Sequence, residues 1–147
     1  MAPVAQVTFY FNVKSREQAL CQLVGKAMTQ KLTINVLAES ESAAYALDRL
    51  LWELPQTGFI PHCAADHPDA ARTPVIVDYR VEKMPVRDAL FNWTDGVPAG
   101  LDRYARVIEI VDQSDEARAA ARTRWRAYQA HGITPDSIDL LELAARP

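Results

Sequence analysis

The sequence predicts a single α/β domain in which a mainly parallel central sheet lies between two layers of helices. Three observations carry this. Short β-branched runs alternate with helix-length segments whose apolar residues recur every three or four positions. The connections between runs are long enough for crossover helices, which parallel pairing requires. Two helices also begin on Ser caps and the last ends on a glycine, so their boundaries are written locally. At 147 residues the chain is one domain's worth, 1–147, with 133–147 as an extension whose docking the sequence leaves open.

Gln6 to Val13, QVTFYFNV, opens the core as a strand buried on both faces. Ser15 or Asn12 can cap the helix that follows, through about Thr29, with Ala19, Leu20, Leu23, Val24, Ala27 and Met28 as its apolar face and Gly25 as a weak point. Thr33 to Ala38 reads as the second strand. Ser40 to Leu54 reads as the second helix, stopped by Pro55. From Gln56 to Pro74 the chain is loop-rich, with a short strand expected around Phe59 and Ile60. Pro74 to Tyr79 and Ala89 to Trp93 follow as strands, the second of them also compatible with helix. Val97 to Tyr104 is expected as a short helix led by Pro98, and Ala105 to Val111 as the last strand. Past Gly132, the apolar Ile138, Leu140, Leu141 and Leu143 are enough for a last short helix. The expected architecture is Rossmann-like without the dinucleotide motif: the first strand leads into Asn12, Val13, Lys14 and Ser15, with no glycine to bring amides onto a phosphate. No cofactor is expected.

Hydrophobic residues at 49% and charged residues at 24% exclude a disordered or fibrous chain. A net charge of -3 gives no general attraction to nucleic acid, so any basic site is local. Two cysteines, a first apolar run that alternates like a strand, and no run near the length of a membrane span point to a cytoplasmic protein without a membrane partner.

The local basic site is conspicuous. Ser114 to Gly132, SDEARAAARTRWRAYQAHG, has a Ser cap, acids in its first turn and a glycine stop. At about 100° per residue, Arg118, Arg122, Trp125 and Gln129 share an arc of roughly 60°, with Arg126 at its edge. Ala117, Ala121 and Tyr128 face inward, and Arg124 points away from the stripe. Guanidinium forks around an indole suit an acidic, partly apolar peptide, although a solvated helix face has the same pattern. The only cluster with ligand or catalytic residue types is PHCAADHPD, where His62, Cys63, Asp66, His67 and Asp69 admit a zinc site or a thiol nucleophile, at spacings that match no specific motif. That leaves a small-molecule enzyme or metal-binding protein as the alternative function. Trp52, Phe59, Ile60 and Pro61 form an apolar group that serves either core packing or an exposed anchor for another subunit.

TFY at Thr8 to Tyr10, AYALDRLLWELP at Ala44 to Pro55, FIPH at Phe59 to His62 and ARTRWRAYQAHG at Ala121 to Gly132 occur in an order and spacing similar to one family. In these motifs the chain resembles the chi subunit of bacterial DNA polymerase III, a clamp-loader accessory protein. The resemblance implies a non-catalytic α/β subunit that links the clamp loader, through its psi subunit, to the acidic C-terminal tail of single-stranded-DNA-binding protein, and contacts DNA only indirectly. By matching positions, Val111, Arg118, Arg122, Trp125 and Arg126 would bind the tail. The family often carries Tyr at the Trp125 position and sometimes Lys at that of Arg126. Trp52, Phe59 and Pro61, with Ile60 beside them, would face psi. The segment before Phe91 and the longer tail after Ile133 depart from the family's pattern.

Overall fold

The computed structural model describes residues 6–53 and 60–140. The Pro55 stop, Phe59, and the leucines at 141 and 143 lie outside those residues. Among the described residues, seven strands form one sheet: β1 (Gln6–Val13), β2 (Ile34–Ala38), β3 (His62–Cys63), β4 (Val75–Asp78), β5 (Ala89–Trp93), β6 (Arg106–Asp112) and β7 (Asp136–Asp139). Every pairing is parallel, in the order β3-β4-β2-β5-β6-β1-β7. Among the described residues three helices flank it: α1 (Arg16–Thr29), α2 (Glu41–Glu53) and α3 (Asp115–Ala130).

The alternating side chains of the strands make two cores. On one face, Leu20 and Val24 of α1 and Leu47 and Leu51 of α2 pack on Ile34, Val36, Val77, Phe91 and Ile108. On the other, Ala121 and Tyr128 of α3 pack on Val7, Phe9, Val107 and Val111. Covering both faces explains why β2 is buried at all five positions. Ser15 caps α1 by accepting from the Gln18 amide, and Ser114 caps α3 by accepting from Ala117. Asn12, the other candidate cap, instead takes a left-handed backbone at φ 62°, where β1 shifts register against β6.

Three expected elements differ, each because a backbone requirement overrode the apolar pattern. The short strand in the loop lies at His62–Cys63, after Ile60 rather than on it, since Pro61 has no amide to donate to a ladder. Val97 to Tyr104 holds only a 3₁₀ turn at Leu101–Arg103, because Gly100 enters it with φ 74°. Of the segment expected as a last short helix, 136–139, with Ile138, is β7, whereas Leu140 is helical: β7 pairs with β1 from Thr8↔Asp136 to Phe11↔Asp139, satisfying main-chain groups that β1 would otherwise leave at the sheet's edge. No helix among the described residues is long and apolar enough to cross a membrane.

Candidate functional site

The connections from β1 and β6, adjacent strands, leave on opposite faces of the sheet, through α1 and α3. In open α/β sheets such a switch point is the usual crevice for a ligand. Here Arg16 spans the crest, with Nε donating to the Ile110 carbonyl at 2.9 Å and its guanidinium 3.8 Å from the centre of the Trp93 ring. Burial lowers the Arg16 pKa, and the nearby Arg124 adds to the effect. The open space lies to one side, between α3 and the β1–β7 edge.

That space is a groove of about 700 Å³. Val111, Arg118, Arg122, Trp125 and Arg126 all line it, so the structure brings together the five residues singled out on the last helix and the strand before it. Phe9, Phe11 and Ala121 extend the apolar floor, Gln129 continues the helical wall, and Ser137 of β7 closes the opposite side. Among the described residues the lining holds three arginines and no carboxylate. Trp125 is half-buried, with its ring 5.1 Å from that of Phe9 at a 49° tilt, and Phe9 meets Tyr128 edge-on at 5.8 Å. The indole is thereby held as part of the wall. Arg118 donates from Nη2 to Asn12 Oδ1 at 2.9 Å, while Asn12 Nδ2 donates to Asp139 of β7 at 3.0 Å. The left-handed turn at Asn12 thus ties one groove cation to the sheet.

Beneath the groove lies a buried polar cluster that sequence reasoning missed. Glu109 of β6, fully buried, accepts from Arg124 Nε at 3.0 Å, from the Tyr128 hydroxyl at 2.6 Å and from Asn92 Nδ2 at 2.7 Å. Burial pushes the Glu109 carboxyl up, and the Arg124 charge with the hydroxyl and amide donors pulls it back. The Tyr128 hydroxyl is pushed well above its ordinary range, first by burial and then by Glu109. Arg124 is therefore off the stripe as expected, but as an anchor of α3 rather than a surface charge. It stands at 0° on the helical wheel, with Tyr128 at about 40°, Trp125 at about 100° and Arg122 at about 160°. Fixing the first pair to Glu109 sets the roll that turns the others into the groove. The available signal was an ionisable residue in the middle of ARVIEIV, which demands a buried partner.

The other candidates are dispersed. Both ring nitrogens of His62 face oxygen: Nδ1 lies 2.6 Å from the Ile60 carbonyl and Nε2 3.0 Å from that of Asp48. Asp66 sits 3.4 Å from Arg80, and His67 Nδ1 accepts from the Asp69 amide. Among the described residues no group of three or more His, Cys, Asp or Glu side chains is placed to hold a metal ion. Trp52 is 57% exposed and packs its ring 5.2 Å from that of His62, whereas Ile60 is buried in the core and Pro61 is half-buried. Of that apolar group, Trp52 faces solvent and Ile60 contributes packing.

Fold and groove together define a class: a parallel α/β protein with a basic, aromatic-walled groove on one face of its sheet. The family model for the DNA polymerase III chi subunit, HolC, matches residues 4–136. The chain belongs to the DNA polymerase III chi subunit family. It is 30% identical over 133 residues to DNA polymerase III subunit chi of Pseudomonas aeruginosa, covering 88% of this chain and 92% of that protein. Identity to the subunit chi of Escherichia coli is 26% over 118 residues, covering 80% of each chain. For that of Haemophilus influenzae it is 23% over 117 residues, covering 79% of this chain and 81% of the relative.

Proposed function

We propose that this chi-family chain is a non-catalytic subunit that joins the clamp loader, through psi, to the acidic C-terminal tail of single-stranded-DNA-binding protein. The observation that carries the tail-binding half is the groove, whose lining among the described residues combines Arg118, Arg122 and Arg126 with Val111 and Trp125 and holds no carboxylate. Guanidinium forks hold the tail's acidic groups, and an apolar side chain at its end fills the space over Val111, Phe9 and Trp125. The exposed arginines steer the peptide, and the apolar floor selects its end. A peptide that engages so few side chains binds with a Kd on the order of micromolar, weakening as salt screens the arginines. Exposed Trp52 supports the psi-facing half, because aromatics anchor interface cores.

Fluorescence anisotropy with a labelled tail peptide tests the groove. Arg122→Ala, at an unchanged melting temperature, and Trp125→Ala, at a lowered one because it removes packing on Phe9, should each weaken binding about tenfold or more in the folded protein. Wild-type affinity in both folded variants would remove the groove from the reading.

A further inference from the structure

We propose that α2 and the loops beyond β3 and β4 form a second docking surface, which receives a cationic, amphipathic segment of the protein seated on Trp52. The proposal rests on the reading that the Trp52 side of the molecule meets psi, and it adds the chemistry of the contact.

Tyr45 is 65% exposed and Trp52 57%. They stand seven residues apart on α2, nearly two full turns, so they share one side of the helix about 10 Å apart along its axis. Leu47 and Leu51 of the same helix are buried in the core, which fixes the aromatic side outward. Next to Tyr45 opens a groove of about 350 Å³, bounded by the first half of α2, the end of β4 and residues that follow β3 and β4. Its charged lining is Glu41, Asp48, Asp66, Asp78 and Arg80: four carboxylates and one guanidinium. The guanidinium is already engaged. Arg80 donates from Nε and Nη2 to the two oxygens of Asp78 at 2.9 Å each and lies 3.4 Å from Asp66.

The remaining negative charge, on Glu41, Asp48 and Asp66, sits beside an exposed aromatic stripe. A lysine or arginine of a partner fits the groove, while flanking apolar side chains cover Tyr45 and Trp52; Arg49, between the two aromatics on α2, has its charge held by Glu53 at 2.8 Å. An acidic peptide of the kind suited to the α3 groove would be repelled here. The two grooves carry opposite charge on helices that cover opposite faces of the sheet.

The test uses the full chain and full-length psi subunit, with affinity read by titration at two salt concentrations. Glu41→Lys combined with Asp66→Lys should weaken psi binding about tenfold and flatten its salt dependence, while the tail peptide binds the α3 groove as before. Trp52→Ala, measured alongside, separates the two readings. If Trp52→Ala abolishes psi binding and the double reversal leaves it unchanged, the acidic groove is not part of the surface, although psi still docks there. If neither variant changes it, psi docks elsewhere and both readings fall. Should the reversal lower the melting temperature, Glu41→Gln with Asp66→Asn replaces it, and an affinity loss of about threefold is expected.

Discussion

Single side chains here owe their roles to what surrounds them. Glu109 would be a liability in an apolar strand, yet with Arg124, Tyr128 and Asn92 on its two oxygens it becomes the anchor of α3; removing one partner of such a cluster costs about 3–5 kcal/mol. Asp78 shows the same logic at the end of β4. Burial alone would raise its pKa, but hydrogen bonds from Arg80 and from the amides of Ala65, Arg80 and Tyr79 hold it at about 2. Its folded pKa is below its unfolded value of about 4, so the stabilisation is fully present above that pH and is lost as pH falls through about 2. The contribution is about 2 kcal/mol. Melting temperatures of the wild type should therefore fall more steeply between pH 4 and pH 2 than those of Asp78→Asn. Equal slopes would show that Asp78 does not contribute this acid sensitivity.

Among the elements, α3 is specified most completely by its own residues. Ser114 caps it, Asp115 and Glu116 occupy the first turn, and Gly132 at φ 80° allows a Schellman ending, in which Ile133 donates to Tyr128 and Gly132 to Gln129. Helix α1 has a correctable weakness. A Cβ added at Gly25 would meet no atom within 4 Å, so Gly25→Ala should stabilise the fold by about 1 kcal/mol and raise the melting temperature by about 2–4 °C. An unchanged or lower value would mean that the α1 backbone needs glycine there. The helices and inner strands were legible because caps and periodicity are local. β3 and β7 were not, because a strand of two or four residues at a sheet edge is decided by the neighbour that offers it hydrogen bonds. For the groove, the α3 stripe was readable at about 100° per residue. The Asn12 tether to Arg118 and the wall at Ser137 were not, because they join residues more than a hundred positions apart.

The whole molecule separates two surfaces by means of its sheet. The α3 side presents arginines over an aromatic floor, and the α2 side presents Tyr45, Trp52 and carboxylates. With the two surfaces on helices at opposite faces, partners bound to each need not compete. Size-exclusion chromatography of the chain with psi and a labelled tail peptide should yield one ternary species, and saturating psi should leave the peptide Kd within about twofold. Displacement of the peptide by psi would place both partners on one surface. Raised salt should weaken the peptide at the α3 side, where the arginines are exposed.

By itself the sequence determined the layered parallel architecture, the limits of α1 and α3, and the basic stripe. Periodicity, caps and turn residues act within a few positions and need no tertiary partner. Its family motifs also carried the membership that the relatives establish. The helical wheel already set Arg124 apart from the stripe, and only the tertiary structure decided that it became an anchor. Arg124 and Arg122 lie two residues apart on one helix, and a buried carboxylate on another strand separates their roles. It also decided that 136–139 is an edge strand, because β1 had main-chain groups to satisfy and β7 could reach them.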